Sequence, residues 1–244
     1  MRTRTDTVID GHAIPTAALT RTDSDHHQLV AWLWTVQLAD GTRALASTGR
    51  WQDALAHLHH RHGVGQRMLD GRQVAVIASI AAGDLNQARQ LIATTTPGDT
   101  AENAVTACLT AGLDPSTAPV RRALDAYRQV AGLPELVTFR TRLGLSILDL
   151  TTALSTADQT TILSDLAGQA LTSRDGYAAR EILSHPACDE LLPASAVADV
   201  AGLVRACGLD SGDLSSRLLH DLHDALDIAA EVIDQPAASL NSAS

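Results

Sequence analysis

Apolar residues recur along most of the chain at three- and four-residue intervals, the spacing of one helix face. After Asp23-Ser24-Asp25, which offers helix N-caps, Leu29, Val30, Leu33 and Val36 keep that spacing, and Asp40-Gly41 is expected to break the helix. The pattern resumes through Ala104, Val105, Cys108 and Leu109 up to Gly112 and Asp114-Pro115, then from Pro119 to Val130 with Gly132 and Pro134 closing it. A longer helix is predicted from about Leu136 to Leu154, and Ser155-Thr156-Ala157-Asp158 opens another through Ile162, Leu166 and Leu171. Gly176 to Leu183, Pro193 to Cys207 and Gly212 to Ile233 complete the set. The first 23 residues differ: Thr7-Val8-Ile9 and His12-Ala13-Ile14 flank Asp10-Gly11, a two-residue hairpin turn, and Pro15 stops the alternation. The pattern therefore predicts an arm or small β-hairpin over 1–23, a single helical domain over 24–234 and a disordered tail over 235–244.

One stretch says the same thing twice. Gly49-Arg50-Trp51-Gln52-Asp53-Ala54 is followed 34 residues later by Gly83-Asp84-Leu85-Asn86-Gln87-Ala88, each between alanine-rich apolar runs. Glycine tolerates the left-handed conformation that ends a helix, Asp84 can cap the next one, and Ala54 and Ala88 need little room where helices approach. Leu58 and Ile92 then fall one turn further on, on the face expected to be buried. Both copies resemble the turn and second-helix start of a tetratricopeptide repeat. The resemblance covers about residues 40–100; in the preceding helix the family's aromatic and small-residue positions fall on Arg72, Ala75, Val76 and Ser79, and Arg174 to Leu183 echoes the theme out of register. It implies an all-α fold, a curved stack of antiparallel helical hairpins of tetratricopeptide-like α-solenoid type, with the short N-terminal hairpin or arm attached.

Composition removes several chemistries. All 18 basic residues are arginine, so there is no lysine for a Schiff base or for a phosphate-binding loop. The net charge of −10 is uneven: residues 1–142 carry 14 Arg against 13 acids, and residues 143–244 carry 4 Arg against 15 acids. An acidic half repels phosphate backbones, so nucleic acid is a poor partner. Cys108, Cys188 and Cys207 are odd in number and far apart, which reads as reduced core thiols in a cytoplasmic protein. No run is long enough for a membrane span.

Candidate chemistry is sparse. His57-Leu58-His59-His60-Arg61-His62 and His220/His223 beside Asp221, Asp224 and Asp227 present imidazoles on helices, but at no recognised zinc spacing, and His near a helix C-terminus already complements the dipole. Asp227 and Glu231 at i and i+4 are read as a wet face. No metal site, cofactor or catalytic residue is assigned. The stronger candidate is the polar segment between the two copies, with Arg67, Asp70, Arg72 and Gln73, joined by Glu102, Asn103, Arg140 and Arg142 on following helices. In the family resembled, such residues line the groove, and arginine forks bind carboxylates, phosphates and acidic peptides bidentately; the plainer alternative is ion pairs and caps between repeats. The resulting expectation is a non-enzymatic adaptor or regulator that holds a peptide or protein segment in an arginine-lined groove; a further reading is a self-associating scaffold, a homo-oligomer, because repeat arrays with unsealed ends expose apolar faces. The competing expectation is a small all-helical enzyme or ligand-binding accessory protein of a specialised biosynthetic pathway.

Overall fold

A computed structural model describes residues 7–9, 12–14, 19–130, 136–150, 154–210, 212, 214 and 216–234. Among these, the chain forms twelve helices and one pair of short strands. Strand β1 (Thr7–Ile9) runs antiparallel to β2 (His12–Ile14), with Val8 opposite Ala13. The expected turn at Asp10-Gly11, Pro15, the helix-closing Gly132 and Pro134, and the tail over 235–244 lie outside the described residues. The chain divides into two compact units, Met1–Gly132 with Ser146–Ser155, and Leu133–Leu145 with Thr156–Ser244.

The first unit contains three helical hairpins: α1 (Asp23–Ser47) with α2 (Trp51–His60), α3 (Asp70–Ala81) with α4 (Leu85–Ala93), and α5 (Thr100–Leu113) with α6 (Thr117–Gln129). Each helix packs on the next along the chain from α1 to α6, as short connections demand. Helix α1 opens on a capping box in which the Asp25 amide donates to Thr22 Oγ1 at 3.1 Å and the Thr22 amide to Asp25 Oδ2 at 3.3 Å. The break expected at Asp40-Gly41 does not occur. Gly41 lies under the His57 ring of α2, where an added Cβ would come within 3.0 Å of Nε2, and that nitrogen is 3.1 Å from the Gln37 carbonyl oxygen. The glycine permits a close helix–helix approach, and its propensity penalty of about 1 kcal/mol does not end the helix.

The two sequence copies are two copies of one turn. Gly49 and Gly83 have φ of +72° and +77°. The amide after each donates to the carbonyl five residues back, Arg50 to Leu45 at 3.0 Å and Asp84 to Ser79 at 2.9 Å, which closes a Schellman cap. Ala54 and Ala88 are fully buried, Leu58 is buried, and Ile92 is half-buried. The positions Arg72, Ala75, Val76 and Ser79 on α3 are all buried. The third hairpin has the buried Val120 on α6 in the corresponding place but turns at Asp114-Pro115-Ser116 without glycine, so it left no third copy in the sequence.

In the second unit α8 (Thr156–Ser173), α9 (Gly176–Ser184), the short α10 (Ala187–Leu191) and α11 (Ala194–Ala206) pack against one another around Leu163, Leu166, Ala170, Ile182 and Val200. The echo noted at Arg174 is the same turn with a different residue. Arg174 takes the glycine position at φ +55°, the Asp175 amide donates to Ala170 O at 3.0 Å, and Asp175 Oδ1 accepts from the amides of Tyr177 and Ala178. Helix α7 (Val137–Leu148) ends earlier than predicted, and α12 (Ser216–Asp234) closes the described chain.

Candidate functional site

Six of the eight candidate residues lie in the first unit, and all of these but Asp70 line one polar seam between the loop that enters α3 and the loop that enters α5. The Thr96 amide donates to Gln66 O at 2.9 Å and ties the two loops together. Asp99 caps α5 by accepting from the Glu102 amide at 3.0 Å, which sets the Glu102 side chain in the first helical turn. There it receives Arg67, whose Nε donates to Oε2 at 3.0 Å and whose Nη2 donates to Oε1. The Glu102 side chain is 7% exposed and that of Arg67 is 52% exposed, so the acid is held inside and the base at the rim. The hydrogen bond to Glu102 and then that carboxylate's charge push the Arg67 guanidinium above its ordinary value; Asp99 adds in the same direction and burial opposes.

Arg72 is buried and, among the described residues, has no carboxylate among its hydrogen-bond partners. Its Nε donates to Thr95 Oγ1 at 2.8 Å and Leu91 O at 3.2 Å, its Nη2 to Leu91 O and Thr94 Oγ1 at 2.7 Å each, and its Nη1 to Gly65 O at 2.7 Å. These acceptors cluster at the C-terminus of α4, where the helix dipole is negative, and that end balances the buried charge. Arg72 therefore pins the α2–α3 loop to the end of α4; its fork is turned into the fold and does not face a groove. Gln73 donates from Nε2 to Met68 O at 3.0 Å, and Asn103 donates from Nδ2 to Gly98 O at 3.2 Å, so both brace the same loops. Asp70 points the other way, toward Arg43 of α1, at 3.6 Å.

Arg140 and Arg142 belong to the second unit and join α7 to its neighbours there. Arg140 is buried and donates from Nη1 to Gln169 Oε1 of α8, and Arg142 donates from Nη2 to Glu181 Oε1 of α9 at 2.8 Å. Thr138 adds a bond from Oγ1 to Asp175 Oδ2 at 3.1 Å. The eight residues thus divide six and two, each set braced within its own unit.

The histidines play local parts. His57, His59 and His60 occupy the last turn of α2, and His220 Nε2 lies 3.4 Å from Asp224 Oδ2 on an exposed face. Among the described residues no three His, Cys, Asp or Glu side chains are grouped so as to hold a metal ion. All three cysteines are free thiols, with Cys188 buried, Cys108 half-buried and Cys207 exposed, so Cys207 is not the core residue the sequence pattern implied.

Two exposed surfaces escaped the sequence reading. Trp32 and Trp34, on the N-terminal half of α1, are 60% and 42% exposed. On α12, Leu218, Leu219, Leu222 and Leu226 are all exposed, and none of the described side chains of this helix is buried. A helical apolar stripe is the only sequence signal for such a face, and a core-facing helix carries the same one. Among the described residues no helix is long and apolar enough to cross a membrane. No protein-family model matches the chain, and neither a curated protein nor a solved structure matches it.

Proposed function

We propose that the chain is a non-enzymatic helical-repeat binding protein, tetratricopeptide-like in its first unit, whose polar seam receives an extended segment of a peptide or protein. The observation that carries this reading is the posture of Arg67. Glu102 grips one edge of its guanidinium and fixes the side chain, while the residue remains half exposed and, among the described residues, Nη1 has no hydrogen-bond partner. A fork held in advance loses little freedom when it binds. Its charge is already balanced by Glu102, with Asp99 close by, so carbonyl oxygens of a peptide suit it better than a free phosphate or a strongly acidic ligand. The exposed Asn103, next to Glu102 in the chain, carries a side-chain acceptor and donor of the kind a peptide backbone uses. A cytoplasmic setting goes with this reading, since Cys108, Cys188 and Cys207 are free thiols.

The test is selection from a displayed random-peptide library on the full chain, followed by affinity measurement on variants. Enriched peptides should bind the wild type and lose about tenfold or more on Arg67→Ala. The double variant Arg67→Ala/Glu102→Gln, which leaves no unpaired buried charge, should lose as much. Failure to enrich any peptide, or peptides indifferent to both variants, removes the proposal.

A further inference from the structure

Leu69 ends the loop that enters α3, two residues after Arg67, and is 55% exposed. Met68 between them is buried in the core shared by α3, α4 and α5, so the place that an apolar side chain of this loop could fill is already taken. The loop has little slack to turn the leucine inward. Arg72 Nη1 holds Gly65 O at 2.7 Å, the Thr96 amide holds Gln66 O at 2.9 Å, and Gln73 Nε2 holds Met68 O at 3.0 Å. A large apolar side chain is thus kept in water beside the fixed fork of Arg67, where it forgoes the gain that burial would bring.

The same residue is the N-cap of α3. Its backbone has the extended conformation of a cap, with φ −87° and ψ 172°, but leucine has no oxygen to accept an amide of the first turn. At the heads of α4 and α5, Asp84 and Asp99 accept from the amides of Gln87 and Glu102. Position 69 therefore serves neither the core nor the helix end. A lone exposed leucine is ordinary; one that also displaces a cap at the edge of a pre-held polar group is a local rule broken where function is expected.

We propose that Leu69 is the specificity-determining residue of the seam. It selects extended segments that carry a bulky apolar side chain, Leu, Ile, Met or Phe, close to the carbonyl that Arg67 takes. The spacing follows from the backbone: two loop residues span at most about 7 Å, and an extended ligand rises about 3.3 Å per residue, so the two contacts fall within about two ligand residues of each other. The inference rests on the reading of the seam as a peptide site.

The experiment repeats the displayed-library selection on the full chain as wild type, Leu69→Ser and Leu69→Met, with affinities and thermal midpoints measured for each. Peptides selected by the wild type should share one bulky apolar residue at a fixed position. Replacing that residue by alanine should cost about tenfold on the wild type and nothing further on Leu69→Ser, because the two side chains meet. Leu69→Ser should itself bind the selected peptides about tenfold more weakly with a thermal midpoint no lower than that of the wild type, since serine restores a cap, and Leu69→Met should bind as the wild type does. Peptides that depend on Arg67 but share no apolar residue, or whose apolar residue matters equally on Leu69→Ser, overturn this inference while leaving the peptide site standing. A lowered midpoint in Leu69→Ser overturns it too, because the leucine would then serve the fold, and failure to enrich any peptide removes both readings.

Discussion

Glu102 and Arg67 meet along one edge of the guanidinium, with the acid enclosed and the base half in solvent. The asymmetry sets what each substitution does. Arg67→Ala strands a buried carboxylate, whereas Arg67→Ala/Glu102→Gln removes the pair and the stranded charge together. In urea unfolding the single variant should therefore show the lower midpoint, and the double variant should recover part of the loss. Equal midpoints would mean that Glu102 is solvated in the folded chain.

Arg72 should be the more important arginine for stability. Arg72→Ala leaves the Leu91 and Gly65 carbonyls and the Thr94 and Thr95 hydroxyls without their shared donor, for an expected loss of about 3 kcal/mol. Arg72→Lys should recover little, because an ammonium cannot reach acceptors laid out for a planar fork. Thermal or urea unfolding of the two variants measures this, and a near-wild-type lysine variant would contradict the geometry described above.

Arg174 carries the turn that Gly49 and Gly83 make elsewhere, but with a side chain at φ +55°. Arg174→Gly removes that conflict and should stabilise the chain by about 0.5–1 kcal/mol, while Gly83→Ala should destabilise it by about 1 kcal/mol or more. The sequence showed this turn clearly where glycine marked it and only as an echo where arginine replaced it. The third hairpin, turned by Asp114-Pro115-Ser116, was legible as helices but not as a repeat.

What could be read in the sequence follows from what is local. Capping residues, helical spacing and the Schellman glycines depend on neighbours a few positions away, and the helices they predicted are present apart from shifts at their ends. The break expected at Gly41 failed because the reason for that glycine, the ring of His57, arrives from another helix. In the polar segment Gln66 to Gln73 the sequence shows a concentration of donors, but spacing alone does not distinguish Arg72, turned into the end of α4, from Arg67, turned toward the surface. The division of Arg140 and Arg142 from the other six is likewise a matter of tertiary contacts.

The thiols should separate by environment. Burial, with Asp149 adding to it, pushes Cys108 up to about 11, and burial also raises Cys188. Iodoacetamide labelling of the native chain near pH 8, read by mass spectrometry, should modify the exposed Cys207 first and the raised, less accessible Cys108 and Cys188 much more slowly. The folded chain holds the Cys108 proton more tightly than the unfolded chain does. Its contribution to folding is therefore complete below the ordinary thiol value of 9.0 and declines as the pH rises toward about 11. Cys108→Ser should flatten that decline, and an unchanged alkaline slope would point to other groups.

The central claim, that a peptide lies along the seam between the loops entering α3 and α5, is tested most directly by hydrogen–deuterium exchange of the full chain with and without a selected peptide. The account predicts slowed exchange confined mainly to residues 66–73 and 99–103, and loss of that protection with Arg67→Ala/Glu102→Gln. Protection that falls elsewhere, on α12 or around Trp32 and Trp34, with the seam unchanged, would contradict it.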